Sequence, residues 1–180
     1  MNDLAPIVKT VAEMRNAFDQ TYALPLSASE TAQSENLLVF RLAGDPYAIR
    51  TREIKGLASD RKIIALPTSI PELLGLAGIR GELVPVYSLA ALLGYMRDAN
   101  QPRWLALCGE EKPIGISFNH LDGYIRFPSA QICPSRQQIT PQGLIQDVAR
   151  TDDEVRSIVN IPSVMEAIRR RCSDNRASIQ

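Results

Sequence analysis

Residues 75–89 read Gly-Leu-Ala-Gly-Ile-Arg-Gly-Glu-Leu-Val-Pro-Val-Tyr-Ser-Leu, which sets one arginine between glycines and then continues as an apolar, β-prone run. The glycines give Arg80 little side-chain cover, so we expect its guanidinium to point into solvent. Pro85 has no backbone N–H, which favours an edge strand or a bulge over a central strand of a sheet. The segment therefore predicts a docking surface on a β-sheet rather than a catalytic pocket.

Composition narrows the classes of function. The 180 residues contain 20 Lys and Arg and 20 Asp and Glu, so the net charge of zero gives no basic surface for nucleic acid or anionic membrane. No apolar run approaches the roughly 20 residues of a membrane helix, and no basic stretch leads into an apolar one at the N-terminus. The three cysteines, Cys108, Cys133 and Cys172, are far apart and form no C-x-x-C motif. We expect a cytoplasmic protein with protein partners, without membrane insertion, cofactor, metal site or disulfide framework.

The N-terminal residues differ in pattern from the rest of the chain. Residues 4–20 carry apolar side chains at spacings of three and four, which predicts an amphipathic helix. Residues 23–36 are small and polar, as in a linker. The predicted organisation is an N-terminal helix and linker over 1–36, a main domain over 37–170 and a C-terminal tail over 171–180.

The sequence of the main domain predicts a series of short strands. A hairpin is expected where two β-prone runs flank Ala43-Gly44-Asp45, with strands at 37–42 and 46–50. Further strands are predicted at 62–66, 83–87, 103–108, 113–117, 124–127 and 155–160. Many short strands separated by turn residues indicate small barrels or a sandwich.

An internal repeat sharpens this architecture. Residues 82–93 and 154–165 place apolar residues at the same positions without a gap, and each copy predicts a strand that leads into a short helix. Ser88 and Asn160 are the expected N-caps of those helices. Residues 42–49 also resemble 107–116, a strand, tight turn and strand in both. We therefore expect two similar lobes, at about 37–94 and 103–170.

Together these motifs resemble CheW, the chemotaxis coupling protein family, and the related domains of the CheA kinase. The resemblance covers about Leu37 to Arg170. The segments that carry it are Phe40-Arg41-Leu42-Ala43-Gly44, Ala65-Leu66-Pro67, Gly75, Ile79-Arg80-Gly81 and Val84-Pro85-Val86-Tyr87-Ser88-Leu89. It implies a mainly β protein with two five-stranded SH3-like barrels and short helices. It also implies a non-enzymatic adaptor that joins the regulatory domain of a CheA-type kinase to the tip of a methyl-accepting chemoreceptor.

Three positions depart from the family pattern. Gly78 stands where the family commonly has Asn, Ser88 where it has Asp, and Ala90 where it has Arg. The Asp and Arg positions belong to the lobe that meets the kinase in the usual arrangement, so their loss removes charge there. The resemblance thus implies a divergent coupling protein, and whether these departures preserve kinase binding stays open.

The predicted protein-binding residues are Ile79, Arg80, Gly81, Glu82, Val84, Val86 and Ser88. Arginine is common at binding hot spots, and its planar guanidinium suits a partner carboxylate or backbone carbonyl. A structural alternative is that Arg80 lies along the barrel and holds a surface carboxylate of this chain. Of the neighbouring apolar residues, most are expected in the core, with one or two forming an exposed apolar ledge.

Other residues that could carry chemistry have ordinary structural interpretations. His120, the only histidine, is predicted in a surface turn, and Asp152-Asp153-Glu154 in a solvated turn without calcium-loop spacing. Arg169–Arg171 are predicted to follow a helix at 162–168. Three alternatives remain open: a β-barrel ligand-binding protein or enzyme of unknown chemistry, a CheW-like protein that caps arrays without binding kinase in the usual way, and self-association through the N-terminal helix.

Overall fold

The structure is a computed structural model that describes residues 33–96, 101–135, 143–150 and 154–177. The predicted N-terminal helix at 4–20, residues 23–32 of the predicted linker and the last three residues lie outside these ranges. The described residues form two six-stranded sheets and two α-helices. The strands are β1 Ser34–Leu42, β2 Asp45–Arg50, β3 Gly56–Ser59, β4 Ile63–Ile64, β5 Leu73–Ile79, β6 Glu82–Ser88, β7 Trp104–Cys108, β8 Ile114–Phe118, β9 His120–Pro128, β10 Ile132–Pro134, β11 Ile145–Arg150 and β12 Val155–Val159. The helices are α1 Leu89–Leu92 and α2 Ile161–Ala177.

Each sheet combines strands from distant parts of the chain. Sheet A has the order β10-β11-β12-β2-β1-β9, and sheet B has the order β3-β7-β8-β6-β5-β4. The predicted hairpin is confirmed as β1 and β2, but it lies in sheet A with the last strands of the chain because β2 pairs in parallel with β12. Likewise, β8 pairs in parallel with β6 in sheet B. The predicted lobes at 37–94 and 103–170 therefore do not coincide with the two sheets.

The position of Pro85 contradicts the expected edge strand. Strand β6 lies inside sheet B, between β8 and β5. Pro85 is opposite Leu76 of β5, while pairing with β8 begins one residue later, at Val86. The missing N–H of Pro85 thus falls before the parallel ladder begins. The bulge lies in the neighbouring strand β5, between Leu73 and Gly75.

The structural repeat is longer than the sequence pattern indicated. Strands β5 and β6 pair with the same register as β11 and β12, at an offset of 72 residues: Leu73 with Tyr87 corresponds to Ile145 with Val159. The register shift in β5 recurs at the same position in β11. The strands β3, β5, β10 and β11 were not predicted.

Three apolar clusters hold the fold together. One lies within sheet A and includes Leu37, Val39 and Ile158; one lies within sheet B and includes Ile79, Val84, Val86 and Leu105. The largest cluster joins the two sheets and both helices. Its largest fully buried members include Leu38, Phe40, Ile49, Leu89, Ile116 and Leu144. Side chains that alternate along β1 and β6 enter different clusters, because successive residues of a strand face opposite sides of its sheet.

Both predicted helix caps are confirmed. The backbone N–H of Ala91 donates to Ser88 Oγ over 3.2 Å, and that of Ser163 donates to Asn160 Oδ1 over 2.8 Å. Helix α2 is longer than expected, so Arg169–Arg171 lie inside it rather than after it. Arg171 binds the buried Glu72, the residue immediately before β5, and this contact joins the second half of α2 to sheet B.

Candidate docking surface

The arginine between glycines lies at the tip of a two-residue hairpin. Strand β5 ends at Ile79 and β6 begins at Glu82, which leaves Arg80 and Gly81 as the loop. Both have positive φ, 52° and 87°. Two central residues with positive φ are the mark of a type I′ turn, which matches the twist of the strands it joins. The turn therefore presents Arg80 at the end of the hairpin, despite the steric cost of positive φ for a side chain with a Cβ.

The Arg80 side chain is exposed, as predicted. Among the residues that the structure describes, it forms no ion pair or hydrogen bond, so the alternative of an internal carboxylate partner gains no support. Its Nη2 would lie 3.9 Å from a Cβ placed on Gly56, which locates the guanidinium beside the start of β3. Arg80 thus offers a charged group to an outside partner.

The other predicted site residues fall into two groups. Gly81 and Glu82 are exposed beside Arg80. Ile79, Val84 and Val86 are buried in the sheet B cluster, and Ser88 is buried with its hydroxyl bound to the N-terminus of α1. The buried residues support the hairpin, so only the exposed group is available for direct contact.

An apolar strip lies next to this turn and was only partly anticipated. It consists of Ile64, Leu76, Leu83 and Pro85. These residues share one face of sheet B because Leu76 is paired with both Ile64 and Pro85, and Leu83 precedes Pro85 by two residues in the same strand. Leu83 is 70% exposed and Ile64 is 59% exposed. Leu83 therefore fits the predicted exposed ledge. Ile64 lies in the strand predicted at 62–66, but its exposure was not predicted.

Gly75 positions the edge of this strip. Its φ of 142° lies in a region open to glycine, and a Cβ there would clash with the carbonyl oxygen of Ile64. The absence of a side chain lets β4 approach β5. That approach places Ile64 beside Leu76.

A cleft of about 690 Å³ opens on the side of sheet B near α1. Its lining residues are Leu42, Ala43, Ile63, Ala65, Leu74, Ser88, Ala90, Tyr95, Met96, Gln101, Pro102, Ser117, Phe118 and Asn119. No Asp, Glu, Lys or Arg is among these described residues. The Tyr95 hydroxyl donates to Asp45 over 2.6 Å and is 2.8 Å from the Tyr47 hydroxyl. Burial and these two partners raise the pKa of Tyr95, so its hydroxyl stays neutral at physiological pH.

Several charged residues in and beside sheet A bind one another. Arg41 lies 2.7 Å from Glu154, and Arg156 lies 3.0 Å from Asp122 and 2.5 Å from Glu154. Asp122 and His120 lie in strand β9 and not in the predicted turn. Strand pairing with β1 continues to His120, opposite Arg41, which extends β9 beyond the region that looked β-prone.

A buried arginine forms a second charged centre in sheet A. Arg50 is 8% exposed and lies 2.6 Å from both Glu35 and Asp147. Glu53 lies 3.8 Å from Arg50 and also accepts a hydrogen bond from the backbone N–H of Ile161, at the start of α2. Sequence patterns do not predict this centre, because its members are far apart in the chain. It joins three strands and a helix, which is a structural role.

The described residues offer no arrangement typical of a metal site. They contain no group of three or more His, Cys, Asp or Glu that could hold a metal ion. The three cysteines are free thiols, and burial, with a smaller effect of Glu53, raises the pKa of Cys108 to about 12. No helix within the described part of the chain is long and apolar enough to cross a membrane.

A protein-family model, the CheW-like domain, matches residues 36–169. The chain belongs to the CheW-like domain family. The crystal structure of the scaffolding protein TtCheW from Thermoanaerobacter tengcongensis is similar to this fold, with a TM-score of 0.64 and 19% sequence identity over 71% of this chain and 90% of that one. A search of curated proteins found no match. The predicted family and the mainly β, CheW-like fold are thus confirmed.

Proposed function

We propose that this CheW-like chain is a non-enzymatic adaptor that couples chemoreceptors to a CheA-type histidine kinase in the cytoplasm. Membership in the CheW-like family supports an adaptor role in general, and the related TtCheW is a scaffolding protein. The observation that carries the proposal here is the surface formed by the Arg80–Gly81 turn, Glu82 and the apolar strip. It combines an exposed arginine with exposed leucine and isoleucine side chains, as protein-binding surfaces do.

The partners in this proposal are the regulatory domain of the kinase and the tip of a methyl-accepting chemoreceptor. A carboxylate or backbone carbonyl of the partner would accept hydrogen bonds from Arg80, while its apolar side chains would cover Leu83 and Ile64. Because Arg80 lies in a two-residue turn between paired strands, little backbone ordering would accompany binding.

A second candidate function rests on Ser88 and Ala90. Ser88 is buried and engaged with the α1 N-terminus, and Ala90 carries no charge. These positions therefore provide no charged contact for a kinase. In this candidate the chain occupies a CheW position in a receptor array without binding the kinase in the usual way.

Calorimetric titration of the purified full chain tests both candidates, with a kinase regulatory domain and a receptor hairpin fragment as separate partners. The coupling adaptor predicts binding to both fragments, and the second candidate predicts binding to the receptor fragment alone. Binding to neither fragment would contradict both.

Two variants locate the surface in the same assay. Leu83→Ser removes the most exposed member of the strip, and Val155→Ser changes the repeat-equivalent residue of sheet A, which is 53% exposed. We expect a loss of about tenfold or more in affinity for Leu83→Ser, equal to about 1.4 kcal/mol, and little change for Val155→Ser. Equal effects would show that this face of sheet B is not the docking surface.

A further inference from the structure

Helix α2 changes character along its length. In its first half Ile161, Val164 and Ile168 are 2%, 0% and 6% exposed, and all three belong to the largest apolar cluster. Over residues 169–175, the part of the second half whose side chains the structure describes, none is buried. A segment with few buried apolar side chains opens at a lower free-energy cost than the core around it. The first half of α2 is therefore anchored by packing, and the second half depends on other contacts.

Those contacts are polar and lead to sheet B. The side-chain pairs that join the second half of α2 to sheet B and to the segment before it are Arg171 with Glu72, Cys172 with Tyr87, and Asn175 with Ser69. The Tyr87 hydroxyl and the Cys172 thiol are 3.5 Å apart, and the Ser69 hydroxyl donates to Asn175 Oδ1 over 2.6 Å. Each of these groups can exchange its protein partner for water, so water can replace the contacts one by one.

Glu72 is the most buried member of this set. The residue is 9% exposed, and Arg171 binds its Oε1. Among the described residues no donor reaches the other carboxylate oxygen, Oε2, which is also buried. A buried acceptor without a donor destabilises the state that buries it, and release of the helix would let water reach that oxygen. The ion pair thus favours the docked position of the helix, while the unpaired oxygen favours its release.

Glu72 also lies at the base of the hairpin formed by β5 and β6. It directly precedes β5, and its carbonyl oxygen accepts a hydrogen bond from the backbone N–H of Ser88 over 2.8 Å. The next pair of the ladder is Leu73 with Tyr87. The second half of α2 is therefore attached to the base of the hairpin whose tip carries Arg80.

We propose that residues 169–177 form a strap that opens from sheet B while the first half of α2 stays packed, with the Arg171–Glu72 pair as its latch. The closed strap holds the base of the hairpin and shields the Cys172 thiol. The open strap frees that thiol and weakens the Ser88–Glu72 hydrogen bond. All these contacts lie within the chain, so the inference stands whether or not the chain is a coupling adaptor.

The cysteines of the chain are the probes for the first test. N-ethylmaleimide labels thiols, and mass spectrometry of the full chain gives a separate rate for the half-buried Cys172, the exposed Cys133 and the buried Cys108. We expect Arg171→Met and Glu72→Gln each to speed labelling of Cys172 by about tenfold or more, with Cys133 and Cys108 unchanged. The two variants change the local charge in opposite senses, so a shared increase reports opening rather than an electrostatic effect on the thiol.

Arg170→Met is the matched control. It changes the neighbouring residue of the same helix, whose side chain is 75% exposed and pairs with Glu166 on α2 itself. Labelling of Cys172 should stay at the wild-type rate in this variant. If Cys172 labels at the same rate in Arg170→Met and Arg171→Met, the latch does not exist and the inference is overturned.

Hydrogen exchange of single amides, measured by NMR on the same proteins, separates a strap from a helix that moves as a whole. In Arg171→Met we expect faster exchange in the strap and at Ser88, with Val164 and Ile168 unchanged. Equal acceleration at Val164 and Ile168 would overturn the inference, because the two halves would then open together. Urea unfolding checks that each variant is folded. Loss of the folded state in both Arg171→Met and Glu72→Gln would also contradict a strap that opens locally.

Discussion

The two copies of the repeat, residues 72–93 and 144–165, share one framework but use equivalent positions differently. In both, a bulged strand pairs with a second strand that leads through an N-cap into a helix. Glu82 of the first copy is exposed at a hairpin tip, whereas the equivalent Glu154 is bound to Arg41 and Arg156. The second copy uses its charge to hold sheet A together. The first copy leaves its charge available to a partner.

The bulge shows the same contrast. In the first copy it contains Gly75, whose missing side chain admits the backbone of Ile64. In the second it contains Asp147, whose carboxylate binds the buried Arg50. One framework therefore serves a docking surface in sheet B and a structural ion-pair centre in sheet A.

The largest expected effect is the loss of the ion-pair centre. Arg50→Met would leave Glu35 and Asp147 without their cation in a largely buried site, and we expect a decrease of about 3–5 kcal/mol in the free energy of unfolding. The control Arg103→Met removes an exposed ion pair with Asp60. It should change the free energy of unfolding by about 0–1 kcal/mol. Urea denaturation measures both. If Arg50→Met lowers the free energy of unfolding no more than Arg103→Met does, the Arg50 centre is not important for stability.

The bulge glycine should give the next largest effect. Gly75→Ala places a Cβ against the Ile64 carbonyl at a φ that alanine rarely adopts. We therefore expect the free energy of unfolding to fall by about 2–4 kcal/mol. Gly78→Ala, in the same strand, meets no atom within 4 Å and has no positive φ, so it is a matched control. If chemical denaturation gives the two variants the same free energy of unfolding, β4 does not approach Gly75 as closely as described.

The helix caps compare the two copies directly. Ser88→Ala and Asn160→Ala each remove a side-chain acceptor from a helix N-terminus. We expect each to lower the free energy of unfolding by about 1 kcal/mol, measured by thermal or urea unfolding. Asn160→Ala should cost more, because Asn160 also donates to Gln146 over 3.1 Å. Ser88→Asp keeps an acceptor and should retain most of the stability. No loss in either alanine variant would contradict the equivalence of the two copies.

Local patterns were sufficient to predict the first hairpin, both helix caps and the exposed Arg80. These depend on neighbouring residues: a turn between β-prone runs, a cap before a helix, and glycines around one side chain. Strand β11 was missed because Asp147 interrupts its apolar alternation, and that aspartate is explained only by Arg50, 97 residues away. Strand β5 was missed because its glycines lower its β-propensity.

Each sheet combines strands from the first and the second half of the chain, and this arrangement depends on long-range pairing. In the parallel pairs of β2 with β12 and of β6 with β8, one face enters the largest cluster and the other face enters the cluster of its own sheet, and no short segment specifies this burial. For the same reason the cleft could not be predicted, because its lining comes from several separate segments. Ser88 and Ala90 were noted as departures from the family, but their place beside that cleft required the structure.

Titration of a receptor hairpin fragment and a kinase regulatory domain into wild type, Arg80→Ala and Arg103→Ala is the most direct test of the central claim that the Arg80 turn is the docking site. Arg103 is a control, since it lies immediately before strand β7 of the same sheet and its side chain is 65% exposed. We predict that Arg80→Ala weakens binding of at least one fragment by about tenfold or more, at unchanged stability, while Arg103→Ala binds like the wild type. Wild-type affinity of Arg80→Ala for both fragments would contradict the account.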